Sequence, residues 1–218
     1  MPDIPGPAYM RSCGPPRPED RAMAGGYVIC EWASVREEFP DFQRTLKALE
    51  DALIAKCNAD WSPKSCGFLT PKANQWGRTT ILPALFKDNT GTQMATWRQH
   101  FAKAGHQLVI AGARTGNVIP EDFKVGWVGL AFPNPVQHIS EIRFQIGDRK
   151  YGRIDLEELK SYRCPALIFE DGFIIDEEQA FELYGYVDTA DVYQRVVMLG
   201  FCCFKVIDKV LGNPGSAI

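Results

Sequence analysis

Hydrophobic positions change their period once along the chain, and the change divides it. From Asp41 to about Cys57, Phe42, Leu46, Leu49 and Leu53 recur at three- and four-residue steps, while Arg44, Lys47, Glu50, Asp51 and Lys56 lie mostly off that stripe. Such spacing predicts an amphipathic helix lying on a core, and the mixed signs on its polar face argue against a membrane-surface helix. Ser34 and Glu37 have the spacing of a capping box, and Pro40 is expected to separate a short first turn from the helix that follows. Residues 58–92 mix Pro, Gly, Asn and Thr with the isolated aromatics Trp61, Phe68, Trp76 and Phe86. They read as a long ordered loop with one short strand at Thr79 to Leu82. Thr92 is placed to cap a short helix in which Met94, Trp97 and Phe101 share a face, with Gly105 ending it.

Beyond that glycine the period becomes two. Gln107 to Ala113, Phe123 to Phe132, Ile139 to Ile146, Ala166 to Glu170, Phe181 to Val187 and Gln194 to Ile207 read as strands, with a short helical insertion at Ile154 to Lys160. Turn signals at Arg114-Thr115-Gly116-Asn117, Pro133-Asn134-Pro135, Gly147-Asp148 and Asp171-Gly172 punctuate the runs at the intervals of an antiparallel sandwich or jelly roll. The predicted fold is therefore mainly β with N-terminal helices. Residues 27–106 form a helical and loop region packed on the core, residues 107–218 form the β-sandwich, and together they make one globular domain. Residues 1–26 hold six prolines and four glycines without a hydrophobic period. They are expected to form an extended arm that packs on another copy of the chain, because their composition provides no packing of its own.

The last predicted strand breaks the rule of one wet face. Val196, Met198, Cys202, Phe204 and Val206 line one side, and Val197, Leu199, Phe201, Cys203 and Ile207 the other. Both sides want burial, so beyond the opposite sheet a second cover is needed, either the N-terminal helices or another subunit. Phe201 and Phe204 point to opposite faces of a regular strand and are the candidate assembly residues, unless a bulge at Gly200 brings them together.

Composition adds mostly exclusions. No apolar run approaches the roughly 20 residues of a membrane-spanning helix, and the N-terminus has no signal-peptide core. The net charge of −3 lacks the footprint of a dedicated nucleic-acid binder. Its distribution is uneven: residues 61–146 carry nine Lys and Arg against four Asp and Glu, whereas residues 147–191 carry five against twelve. This polarity would let the basic surface of one subunit meet the acidic surface of the next. Seven cysteines without a C-x-x-C pair predict mostly free thiols, with Cys202 and Cys203 on opposite faces.

Chemistry-bearing residues are scattered. His100, His106 and His138 have no common spacing, and no nucleophile elbow or phosphate loop occurs. Asp171, Asp176, Glu177 and Glu178, beside Glu170, form an oxygen-rich hairpin that is the best candidate metal site; the cation it suits is a structural calcium ion. An arm, a helix and then a β-domain ending in an apolar strand resembles viral or virus-like single jelly-roll coat proteins over roughly residues 107–211. That resemblance implies homo-oligomeric assembly and transfers no functional residue. The expectation is a self-assembling, non-enzymatic subunit of a shell, tube or filament, without a cofactor, located in a virion or other large assembly. The alternative is a β-sandwich enzyme or small-ligand-binding protein whose acidic hairpin holds a cation.

Overall fold

The computed structural model describes residues 27–30, 40–61, 76–161 and 166–205. Their strands are β1 (Tyr27–Cys30), β2 (Trp76–Thr80), β3 (Phe86–Lys87), β4 (Arg98–Phe101), β5 (Gly105–Gly112), β6 (Phe123–Ala131), β7 (Ile139–Ile146), β8 (Arg149–Lys150), β9 (Ile154–Asp155), β10 (Ala166–Ile175), β11 (Phe181–Val187), β12 (Val192–Arg195) and β13 (Val197–Lys205). Helix α1 spans Pro40–Asp60 and the short α2 spans Glu157–Ser161. The expected arm and the capping pair Ser34 and Glu37 lie outside the described residues.

Two antiparallel sheets face each other. Sheet A has the order β1-β10-β6-β13-β2 and sheet B the order β3-β5-β11-β7-β8, with β9 also paired to β7; β4 and β12 form a separate two-stranded sheet. Taking β8 and β9 as one interrupted strand, the eight main strands in chain order are β2, β5, β6, β7, β8/β9, β10, β11 and β13. They fall into sheets of order 1-8-3-6 and 2-7-4-5, the double Greek key of a jelly roll. The predicted antiparallel, mainly β architecture is the one observed.

Aromatic packing fills the space between the sheets. Trp127 of β6 is fully buried and meets Phe144, Phe169 and Phe181 edge-on at ring-centroid distances of 4.8, 4.8 and 5.5 Å, an arrangement the ring quadrupoles favour. Its indole N–H donates to the Gly129 carbonyl at 2.6 Å, so the polar end of the side chain is satisfied inside the core.

Outside sheet A lies α1. Leu49, Leu53 and Cys57 are buried in a stripe that continues into Trp61. They pack with Leu46 over Val128, Ile168, Leu199, Phe201 and Cys203. Bare backbone lets the helix come this close. A Cβ on Gly126 would stand 3.2 Å from Leu53, and one on Gly172, which has φ +66°, would stand 2.6 Å from Leu49. The helix is thus the second cover that the apolar strand demands, and it belongs to the same chain. Cys202 faces the sandwich interior and Cys203 the helix, as alternation predicts.

Four local expectations are corrected. Residues 94–101 form no helix: Phe101 and Gln99 alternate into the interior as part of β4, because pairing with β12 satisfies their backbone. The i, i+3, i+7 spacing of Met94, Trp97 and Phe101 fits an irregular approach to a strand as well as it fits a helix. In the preceding loop the strand begins at Trp76 rather than Thr79, where it edges β13. Asp171-Gly172 is not a hairpin turn but a bulge inside β10, whose register with β6 shifts between Ile168 and Phe173. The last strand is two strands, β12 and β13, parted at Val196.

Gly200 lies at a register shift between β13 and β6, yet Phe201 and Phe204 still diverge. Phe201 sits with the helix-facing cluster, and Phe204 lies over Gly77 and 6.4 Å from the Phe123 ring. Trp127→Ala is expected to cost about 3–5 kcal/mol, as a large core truncation does, whereas Phe201→Ala and Phe204→Ala, both only partly buried, should cost less. Urea unfolding of the monomer checks this. A Phe201→Ala variant with unchanged unfolding but defective self-association would contradict cover by the chain's own helix.

Candidate functional site

The acidic residues singled out in the sequence do not converge on an empty centre. Asp171 is exposed in the β10 bulge, while Asp176, Glu177 and Glu178 occupy the turn from β10 to β11. There the turn is tied to the neighbouring loop by the Glu178 amide donating to the Ile119 carbonyl and the Ile119 amide donating to the Gln179 carbonyl, each at 3.0 Å. Glu178 points toward Arg114 at 3.7 Å, although Arg114 is held more closely by Glu121 at 2.7 Å.

Asp176 and Glu177 instead close over Lys124. This lysine sits in the otherwise apolar β6, and its side chain is only 2% exposed. Its Nζ lies 2.9 Å from Asp60 at the end of α1, 3.2 Å from Asp176 and 3.6 Å from Glu177. A second lysine, Lys56 of α1, bonds the other oxygen of Asp176 at 2.6 Å. Trp61 stands at the middle. Lys124 approaches its ring at 5.3 Å and Lys205 at 5.8 Å, while its indole N–H donates to Glu177 at 3.1 Å. Lys205 also bonds Asp122 at 3.0 Å, and the Asp122 amide donates to Glu177 at 3.1 Å.

Burial alone would favour a neutral lysine, but hydrogen bonds to Asp60 and Asp176 outweigh it, and the Lys124 pKa is raised above its ordinary value. The hydrogen bond from Lys124 is also the main reason that the Asp60 carboxyl is held below its ordinary value. Both shifts favour the charged forms of Lys124 and Asp60, the state in which they attract each other. The cluster can act as an electrostatic latch, fastening the end of α1 to β6, β13 and the β10–β11 turn. Sequence reading missed Lys124 and Trp61. The available signal was a lone lysine within the apolar run FKVGWVGLA, since a cation in such a strand must find carboxylates on whatever covers it.

The remaining candidates stay apart. His100 bonds Asp191 at 2.8 Å beside Tyr193, whereas His106 packs edge-on against Tyr186. Among the described residues no group of three His, Cys, Asp or Glu is placed to hold a metal ion. Cys57 and Cys203 meet between α1 and β13 as free thiols. A hydrogen bond between them lowers the pKa of Cys203 and, with burial, raises that of Cys57. No helix among the described residues is long and apolar enough to cross a membrane. The two charge blocks noted in the sequence also meet within the chain: Lys124 with Asp176 and Glu177, and Arg114 with Glu178.

A second feature lies on the outer face of sheet B. Between the pairs Gln145–Lys150 and Ile142–Ile154, two residues of β7 stand opposite the three residues 151–153. Beside this irregularity lies a cleft of about 490 Å³, lined by Arg143, Gln145, Lys150, Tyr151, Arg153, Glu182 and Tyr184 among others. Comparison of the chain with protein-family models, curated proteins and solved structures finds no match. Its class is accordingly defined by its own architecture, a jelly-roll sandwich with one sheet roofed by a helix.

The latch gives an asymmetric expectation. Lys124→Met, which removes the buried cation but keeps an unbranched side chain, should destabilise less than Asp60→Asn combined with Asp176→Asn and Glu177→Gln, which strands the lysine by removing all three of its carboxylates; leaving a buried charge unpaired costs about 3–5 kcal/mol. The pH dependence follows from the shifts. The contribution of Asp60 is present above its unfolded pKa, near 4, and is lost as pH falls through its lower folded pKa. That of Lys124 is present below its unfolded pKa, near 10.4, and is lost as pH rises through its higher folded pKa. In urea midpoints measured from pH 3 to 11, the wild type should lose ground relative to Lys124→Met toward both ends of the range; a difference that stays constant with pH would rule out the latch.

Proposed function

We propose that the chain is a self-assembling structural subunit of a shell, tube or filament, of the jelly-roll coat-protein kind, acting without catalysis or cofactor. The observation that carries this reading is the strand order, 1-8-3-6 against 2-7-4-5, an architecture used for viral shells. Jelly rolls also serve lectins and cupin-type enzymes. Sites of that kind commonly occupy the mouth or interior of the sandwich, and here Trp127 and the rings around it pack the space between the sheets. Lysine partners for Asp176 and Glu177 further support a reading without bound calcium.

Self-association is assigned to the N-terminal arm and the sheet surfaces. Support comes from where the chain emerges. Residue 26 directly precedes β1, which stands at the end of sheet A and pairs only with β10 among the described strands. An arm leaving an edge strand is well placed to reach a neighbouring copy, and an open edge can itself be extended by one. The location that follows is a virion or another large assembly.

Sedimentation velocity and electron microscopy of the purified chain at micromolar concentration test the proposal. The expected outcome is a closed or open-ended particle of many subunits, with a chain starting at Tyr27 assembling less completely while melting at the same temperature as the full chain. A monodisperse monomer across solution conditions would overturn the structural reading. Full assembly without residues 1–26 would overturn the role of the arm.

A further inference from the structure

Net charge hides a local cation site. Lys124, Arg114 and Lys160 are taken up by carboxylates, but two cations of the sheet B cleft are not. Among the described residues Arg143 meets no carboxylate and lies over the face of Tyr184, with its guanidinium 5.3 Å from the ring centroid. Lys150 is exposed and makes no ion pair within the described structure. Arg153 has a loose contact with Glu141 at 3.4 Å and is otherwise open to solvent. The one carboxylate lining the cleft, Glu182, already accepts the Tyr184 hydroxyl at 2.7 Å and the Asn117 amide at 3.2 Å. Two cations without a carboxylate, and a third held loosely by Glu141, therefore surround one partly satisfied anion.

Aromatic rings continue the same surface. Tyr184 and Tyr186 are two residues apart on β11 and share its outer face, which places them about 7 Å apart at the rise of a strand. Tyr186 is 41% exposed, and His106 stands edge-on beside it at 5.1 Å. Register sets the rows: Glu182 opposite Gln145, Tyr184 opposite Arg143, and Tyr186 opposite Glu141. Cations cluster at the β8 end of this face, and along β11 follow Tyr184, half-buried with Arg143 over its ring, and the exposed Tyr186. Unlike the outer face of sheet A, this face has no helix over it among the described residues.

We propose that the outer face of sheet B binds single-stranded nucleic acid, with the phosphate backbone held by Arg143, Lys150 and Arg153 and the bases stacked along Tyr184 and Tyr186. Cationic grooves bordered by stacking rings are the general solution for strands bound without sequence preference. Arg143, already over Tyr184, presents a planar cation to a phosphate and a second stacking surface to a base. The paired strands of a duplex hide their base faces, so a single strand is the form that uses both halves of the site. This inference does not depend on assembly, and it separates local charge from the acidic total.

Fluorescence anisotropy of the full chain with labelled oligothymidylate of about ten nucleotides tests it, at roughly 50 and 200 mM salt. Saturable binding is expected, weakening with salt by no more than the slope of about three phosphate contacts, near −2 on a log–log scale. Arg143→Glu with Lys150→Glu should weaken it at least tenfold, and Tyr186→Ala severalfold, with circular dichroism and melting unchanged. If the charge-reversed chain misfolds, Arg143→Gln with Lys150→Gln replaces it and should still weaken binding clearly. Unlabelled single strand should compete better than duplex of equal length. Polyglutamate or inorganic phosphate competing as well as the strand would overturn the base-stacking half. Absent binding at about 100 μM protein, or binding unaffected in the folded variants, would overturn the site altogether, and neither result bears on particle formation.

Discussion

The two central strands of sheet A bury both faces, and much of the remaining structure answers that demand. On the inner side Trp127, Val125, Leu130, Met198 and Cys202 join the sandwich core; on the outer side Val128, Leu199, Phe201 and Cys203 need a second layer. A two-sheet sandwich has only one interior, so the second layer must come from outside it. Helix α1 supplies it, with Leu49 and Leu53 settling over glycine backbone at Gly126 and Gly172. At Gly172 the positive φ is affordable because the residue has no side chain.

Hydrophobic contact alone would leave the helix free to slide along its stripe. The charged cluster at its C-terminal end supplies a fixed point, since Lys124 emerges from β6 on the side the helix covers and can be satisfied only where Asp60, Asp176 and Glu177 converge. A buried ion pair adds little net stability when its desolvation is counted, and its more common value is in specifying one arrangement among similar ones. Here the arrangement specified is the position of α1 along sheet A and the seating of the β10–β11 turn. The acidic turn, which in the sequence suggests a cation site, thus meets its cations as lysine side chains.

The two sheets end up with different surfaces. Sheet A is roofed by α1, while sheet B presents Arg143, Glu182, Tyr184 and Tyr186 on its outer face. A molecule built this way has two unlike faces, one roofed by a helix and one presenting charged and aromatic side chains. The interruption of the fifth jelly-roll strand at residues 151–153 contributes to the same asymmetry, because the cleft lies beside it.

Local pattern by itself determined the helix from Asp41, the strands Ile139–Ile146 and Phe181–Val187, the opposed cysteines at 202 and 203, and the need for cover on both sides of the final strand. These follow from periodicity, which depends only on neighbours along the chain. Tertiary structure decided the rest. Residues 98–101 became a strand because β12 offered hydrogen-bond partners more than ninety residues away. Asp171-Gly172 became a bulge because α1 and β6 needed β10 to continue, and Asp176 and Glu177 became partners of Lys124 because folding brought a strand, a turn and a helix end together. Which element covers an apolar face, and which cation meets a carboxylate, are questions of long-range geometry; side-chain type states the requirement, but only the packed chain selects the partner.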